Sequence, residues 1–262
     1  MQERLPAEDG AVLADFAAAV TAAGQGGSSG PELLAERLAV AAASVLPADG
    51  AGLSLVFAPG RRLPVGASDA LAATAERLQF TVGEGPCLQA QDTRRPVLGW
   101  DGELGRRWPA FWDELVRLTP YRGVVSLPLP DQLEGLGALD LFFTRSDDVL
   151  GLSLADSLAV TTEVTRLFHG SMVVAARDAR TGTADGDATP AWLDAPAALS
   201  RARVWQALGF LNTTLGVTTT DALALLRARA YGEGSDVDEL ADRIVSGELP
   251  AEDLARGHEL SD

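Results

Sequence analysis

The chain has 262 residues, 47% hydrophobic and 22% charged, which suits two domains rather than one core and excludes a disordered polypeptide. Its net charge of −16 repels phosphate backbones, so any nucleic-acid site must be small and local. No apolar run approaches the roughly 18 residues of a membrane span, and the first residues lack a basic segment followed by an apolar core; the expectation is a cytoplasmic protein without a membrane partner.

Residues 2–23 carry Val12, Phe16 and Val20 at i, i+4, i+8, which predicts an amphipathic helix ended by the glycine-rich run 24–30. Pro31 stands at a first helical position, and Leu34, Leu38, Ala41 and Val45 repeat at helical spacing up to Pro47. From residue 51 the period shortens to two. Leu53, Leu55 and Phe57 alternate with smaller neighbours, and residues 62–66 make a partner strand across the turn at 58–60. Asp69 caps a helix running to about Leu78. Gly83, Gly85 and Pro86 form a turn that opens a short helix, and 96–99 reads as a weak strand. Trp108, Phe111, Trp112, Leu115 and Leu118 trace one face of a further helix. Residues 124–129 and 136–143 read as an antiparallel hairpin around the loop 130–135. A longer helix from 153 to about 169 places Ala155, Leu158, Thr162 and Leu167 near one face. This order predicts an α+β architecture, an antiparallel sheet with helices on its faces, with the strand order left open.

Residues 177–195 are polar and aperiodic and read as a linker. Beyond it the pattern is helical. Val204, Leu208, Leu211 and Leu215 line one face of a helix stopped by Gly216; Thr218 and Asp221 start a second containing Ala222, Leu223, Leu226 and Ala230; Asp236 and Asp238 start a third containing Val237, Leu240, Ala241, Ile244 and Val245, closed by Gly247 and Pro250. Three helices in about fifty residues make a core that is marginal alone, so the bundle is expected to lean on the preceding domain or on a second copy.

The segments Gly52-Leu-Ser-Leu-Val-Phe57, Ala67-Ser-Asp69, Leu78-Gln-Phe-Thr-Val-Gly-Glu-Gly-Pro-Cys87, Arg107-Trp-Pro109, Val125-Ser-Leu-Pro-Leu129 and Gly135-Leu-Gly-Ala-Leu-Asp-Leu141 together resemble GAF sensor domains of the actinobacterial type. Val204-Trp-Gln-Ala-Leu-Gly209, Leu215-Gly-Val-Thr218, the helix 221–230 and Asp238-Glu-Leu-Ala-Asp-Arg-Ile-Val245 are similar to the ANTAR domain, a three-helix RNA-binding module. The resemblance divides the chain into an N-terminal helical extension (1–27), a GAF-like domain (28–172), a linker (173–196), an ANTAR-like three-helix domain (197–250) and an acidic tail (251–262). It implies a signal-responsive transcription antitermination regulator that acts as a homodimer, senses a small molecule and pairs ANTAR domains on an RNA hairpin of the leader transcript. The residues expected to carry RNA contact are Arg201, Arg203, Gln206, Phe210 and Thr214 on the first bundle helix and Arg227 and Arg229 on the second.

The sequence also departs from that pattern. Leu208 stands where the family often carries a lysine, and residues 197–250 hold five arginines against seven acids. The competing reading is a small-molecule-sensing or protein-interaction module whose helical tail dimerises without touching RNA, with Phe210 and Trp205 packed against another helix or subunit. Cys87, at a helix start, has a redox reading and a bland one as a buried small side chain. The tryptophans Trp100, Trp108 and Trp112 and Phe111 read as core packing near the wall of a GAF cavity, and His169 as a cation at a helix end. The single cysteine, Cys87, and two histidines, His169 and His258, exclude a disulfide framework and speak against a metal centre. Ser54 and Ser126 lie in no nucleophile elbow, and Gly83-Glu-Gly85 lacks the lysine of a phosphate loop. Neither an enzyme nor a cofactor is expected, and the ligand of the GAF-like domain is left unassigned.

Overall fold

The computed structural model of the chain describes residues 6–25, 29–58, 61–181 and 190–256. Helices α1 (Pro6–Gln25) and α2 (Leu34–Val45) precede strands β1 (Gly50–Ala58) and β2 (Arg61–Ala67). Next come α3 (Ala70–Val82), α4 (Pro86–Thr93), β3 (Val97–Trp100), α5 (Asp101–Arg107) and α6 (Pro109–Leu118). Then follow β4 (Gly123–Pro128), β5 (Gly137–Phe143), α7 (Asp148–Gly151) and the long α8 (Leu154–Thr181). The C-terminal region holds α9 (Pro196–Leu215), α10 (Thr219–Glu233), α11 (Val237–Val245) and α12 (Glu252–Arg256).

The strands form one five-stranded sheet in the order β2-β1-β5-β4-β3, with every neighbouring pair antiparallel. The expected α+β class and the β4–β5 hairpin are both present. Alternate strand residues choose alternate faces. Leu53, Leu55, Val125, Leu127, Leu139 and Leu141 pack with Phe16 of α1, Leu38 of α2 and Val160, Val164 and Phe168 of α8. On the opposite face Val97, Val124 and Phe142 meet Ala72, Ala75 and Leu78 of α3, Leu104 of α5, and Phe111 and Leu115 of α6. The residues out of phase with the first set include Ser54, Arg62, Ser126 and Asp140. All four are buried. A pattern that would give a half-wet sheet instead gives a polar strip beneath α3 and α4.

Local chemistry sets the helix ends. The Asp69 carboxylate accepts from the backbone N–H groups of Leu71 and Ala72 at the start of α3, and Gly83 closes that helix at φ +78°, a left-handed conformation cheap only for glycine. Thr218 and Asp236 cap α10 and α11 by accepting from the N–H groups of Asp221 and Glu239. In the bundle, Val204, Leu208, Leu211, Leu226, Leu240 and Ile244 form a core whose remaining members include Phe80 of α3. The small bundle thus completes its core with a ring from the sheet domain.

Several sequence expectations change. Helix α8 continues to Thr181, so His169 lies inside a helix and not at its end, and residues 173–181 are helical rather than linker. Trp192, in a short 3-10 turn, is 2% exposed with its ring centre 5.2 Å from that of Phe168, so it belongs to the main core, with Leu193 packed against it; residues 182–189 lie outside the described part. The buried face of α8 is Ser157, Val160, Thr161, Val164, Thr165 and Phe168, while Leu158 is exposed. These hydroxyls can be buried because each donates to the carbonyl four residues earlier: Ser157 to Ser153, Thr161 to Ser157 and Thr165 to Thr161. Helices α5 and α7, at seven and four residues, are too short to show a period and were not expected. The acidic tail begins with α12, whose Leu254 is buried in the bundle core, and His258 lies outside the described residues.

Candidate functional site at the seam between sheet and bundle

Helix α3 has two working faces. Glu76 and Gln79, three residues apart, turn toward the sheet; Arg77, Phe80 and Thr81, at i, i+3 and i+4, turn toward the bundle. The first face closes a buried ionic network. The Arg62 guanidinium, 2% exposed, donates to Glu76 Oε2 at 2.6 Å, to the Glu76 carbonyl at 3.1 Å, to Ser54 Oγ at 3.1 Å, to Cys87 Sγ at 2.9 Å and to Asp140 Oδ2 at 3.5 Å. Gln79 donates from Nε2 to Asp140 at 2.7 Å and accepts at Oε1 from the Cys87 N–H at 2.8 Å. Gly52 must lack a side chain because a Cβ there would overlap Glu76.

The electrostatics follow from one guanidinium facing two carboxyls out of water. Burial presses the Glu76 carboxyl well above the usual range, Arg62 pulls it back, and Asp140 raises it further. Arg62 itself is raised: burial opposes its charge, and Cys87, Glu76 and Asp140 outweigh burial. With one guanidinium facing two carboxyls out of water, the interior favours the protonated form of Glu76. Cys87 is wholly buried, and burial pushes its thiol up rather than down. Cys87 fits the bland reading, because loss of hydration outweighs the pull of Arg62 toward the thiolate.

The second face of α3 holds the bundle. Phe80 is 1% exposed; the Arg201 guanidinium lies 3.7 Å from its ring centre and that of Arg227 5.0 Å, and Trp205 meets it edge-on at 6.2 Å. Arg227 Nε donates to the Phe80 carbonyl at 2.8 Å, Arg77 Nε to Asp236 at 3.1 Å, and the Val237 N–H to Thr81 Oγ1 at 3.4 Å. Arg201 Nη2 stands 3.0 Å from Asp238 Oδ2, yet the contact is one of charge without an aligned hydrogen bond. Burial lowers Arg201 to about 10 and raises Asp238, so both partners are pushed toward neutrality.

The residues expected to meet RNA therefore divide. Arg201 has no exposed surface and is not presented to a ligand outside, whereas Arg227 is half-buried with its Nε held by the Phe80 carbonyl; both serve the contact with α3. Arg203, Gln206, Phe210 and Thr214 share the outer face of α9, with Phe210 49% exposed and Arg203 paired with Asp242 at 3.2 Å. Arg229 is paired with Glu233 on α10. Leu208 is a bundle-core residue. Trp108, Phe111 and Trp112 pack on the α3 side of the sheet, whereas Trp100 packs against the cluster on the other face. Glu84, read only as part of a turn, accepts from the N–H groups of Ala110 and Phe111 and caps α6. Arg62, Glu76, Gln79 and Asp140 escaped the sequence reading; the available signal was the pair of charges, Arg62 and Asp140, set inside strands otherwise rich in apolar residues.

Beside this seam, at the β2 edge, lies a cavity of about 500 Å³ walled by α2, β2, α3 and the starts of α9 and α11. Among the described residues no cluster of histidine, cysteine and carboxylate side chains is arranged to hold a metal, and no helix is long and apolar enough to cross a membrane.

No family model and no curated protein matches the chain. Solved structures similar to it include the GAF domain of a phosphoenolpyruvate-protein phosphotransferase from Coxiella burnetii, at 16% identity and TM-score 0.41 over 65% of this chain and 98% of that one. A domain of a two-component sensor histidine kinase protein from Sinorhizobium meliloti matches at 16% identity and TM-score 0.40, covering 53% and 91%. Free methionine-R-sulfoxide reductase from Neisseria meningitidis, solved in complex with its substrate, matches at 14% identity and TM-score 0.37, covering 64% and 97%.

Proposed function

We propose that this chain is a signal-responsive regulator in which a GAF-type domain controls an ANTAR-like RNA-binding bundle by docking it on α3, with transcription antitermination as its output. The observation that carries the reading is Arg201 lying over Phe80 with no exposed surface. An acidic bundle needs its few cations to meet a phosphate backbone, and in the docked arrangement Arg201 and Arg227 are engaged by α3. The exposed face of Arg203, Gln206, Phe210 and Thr214 supplies an aromatic ring and polar groups suited to unpaired bases. In this reading the docked form is the silent one, and a signal acts by loosening α3 from the bundle. The reading assigns no catalytic step. The test is binding of a paired-hairpin leader RNA to the full chain and to its Phe80→Ala variant at two salt concentrations. Salt-sensitive binding that strengthens in the variant is the expected result; absence of binding by both overturns it.

A second reading rests on the outer face of α9, where Leu199 is 53% and Phe210 49% exposed in a soluble-type helix. On that reading α9 pairs two copies of the chain. Phe210→Asp then splits a dimer seen by sedimentation, while Arg203→Glu probes RNA binding separately.

A further inference from the structure

Glu76 lies in the middle of α3, and only one oxygen of its carboxyl is satisfied. Oε2 takes the Arg62 guanidinium at 2.6 Å, whereas Oε1 is buried with no donor among the described residues. Asp140 of β5 repeats the pattern. Its Oδ2 takes Gln79 at 2.7 Å and Arg62 at 3.5 Å, and its Oδ1 is buried without a donor among the described residues. The two carboxyls are neighbours within hydrogen-bonding reach. A Cβ on Gly52 would lie 2.4 Å from Glu76 Oε1, and Gly52 is the partner of Asp140 in the β1–β5 ladder, so the glycine admits the Glu76 carboxyl to the side of Asp140. Ser126, the partner of Asp140 in the β4–β5 ladder, bonds to neither oxygen, and its own hydroxyl is buried and unpartnered among the described residues. Two carboxyl oxygens that meet out of water are satisfied together only when a proton lies between them.

We infer that Glu76 Oε1 donates a proton to Asp140 Oδ1, and that this bond is a latch whose loss on ionisation of Glu76 frees α3 from β5, and with it the bundle docked on α3. On opening, the O–H bond of Glu76 breaks and its proton passes to water. The charges around α3 set the sign. Burial opposes the ionised form most; Arg62 of β2 favours it, Asp140 opposes it, and Arg201 of α9 favours it as the weakest of these influences. Cys87 of α4 and Asp238 of α11 are the other titratable groups on this side of the helix. β1 presents Gly52 and Ser54, α6 presents Phe111 and Leu115, and Arg227 of α10 lies over Phe80. The closed seam therefore keeps the proton, and water takes it once α3 lifts, since a solvated glutamate ionises near pH of about 4.3. Phe80, one turn on from Glu76, carries the coupling, because its ring belongs to the bundle core. The latch rests on the docked geometry and not on what the bundle binds.

The test is amide hydrogen exchange of the full chain over a pH series, each rate divided by that of the unstructured peptide at the same pH, in the wild type, Glu76→Gln and Asp140→Asn. An opening that releases one proton grows by up to about tenfold per pH unit between the unfolded and folded pKa values. Opening of α3 and of α9, α10 and α11 is expected to follow that slope in the wild type relative to Glu76→Gln, whose amide donates to Asp140 at every pH. Asp140→Asn offers an amide donor to Glu76 Oε1 and is expected to flatten the slope as well, which keeps the test decisive where Glu76→Gln fails to fold. Side-chain carboxyl NMR of the wild type is expected to show Glu76 still protonated above the usual glutamate range. Equal slopes in the wild type and the folded variants, a Glu76 carboxyl that titrates in the usual range, or a slope in α3 that the bundle helices do not share overturns the proposal. None of these outcomes depends on RNA, so the latch stands or falls apart from the function proposed above.

Discussion

Arg201 places its guanidinium 3.7 Å from the centre of the Phe80 ring and 3.0 Å from Asp238, and is wholly buried between the two. The ring belongs to α3 and the cation to α9, so a single contact ties the sheet domain to the bundle. A cation over an aromatic face contributes about 0.5–2 kcal/mol, more when desolvated. The ion pair beneath it is different in kind. Burial drives Arg201 down to about 10 and Asp238 up, so desolvation exceeds the attraction of the two charges for each other.

That balance predicts an asymmetric response to mutation. Arg201→Met leaves Asp238 buried without its cation and is expected to cost about 3–5 kcal/mol. Arg201→Met combined with Asp238→Leu removes both charges and is expected to recover most of that loss. Urea denaturation of the two variants checks it. A double variant as unstable as the single one would show that the charges themselves hold the seam.

Phe80→Ala removes a ring that the bundle uses as part of its own core. The expected cost is about 3–5 kcal/mol, as for other buried aromatic truncations. The loss should be uneven: backbone amides of α9, α10 and α11 exchange faster with solvent deuterium, while those of β1, β4 and β5 keep their protection. Uniform loss of protection would mean that sheet and bundle unfold as one unit.

Glu76 sets a pH dependence whose direction is fixed by its raised pKa. Such an acid holds its proton more tightly folded than unfolded. Its contribution to stability is fully present below the unfolded value of about 4.3 and declines as pH rises from there toward the raised folded value. Glu76→Gln, which stays neutral, should therefore gain on the wild type as pH is raised across that window. Denaturation of both proteins at a series of pH values measures the difference, and a gap that narrows with rising pH contradicts the assignment.

Cys87 should be inert. It is enclosed by Arg62, Ser54 and Gln79, and burial keeps it a thiol. Alkylation of the native chain by iodoacetamide is expected to proceed only as fast as the protein opens, and to become rapid in denaturant. Fast labelling of the native protein would restore the redox reading.

Some features were legible before any coordinates. The period-two run Leu53, Leu55, Phe57 and the 124–129 and 136–143 hairpin appear as strands β1, β4 and β5, because short apolar runs bounded by turn residues mark strands even where both faces are buried. Asp69, Thr218 and Asp236 mark helix starts for the same kind of reason, since capping is chemistry within four residues. The phase of α8 was not legible. Its buried stripe is built on serine and threonine, whose hydroxyls are satisfied inside their own helix, and a hydropathy pattern counts them as polar.

The sequence by itself determined the α+β class, most element positions and the helical bundle after residue 196, because each depends on neighbours a few residues apart. Tertiary structure alone decided the strand order, the meeting of Arg62 with Glu76 and Asp140, and the capture of Arg201 and Arg227 by Phe80. Those pairs lie from 14 to 147 residues apart in the chain. Whether an arginine is a surface cation or a buried partner depends on what the fold brings to within about 4 Å of it, a distance at which a charge is either paired out of water or left in it.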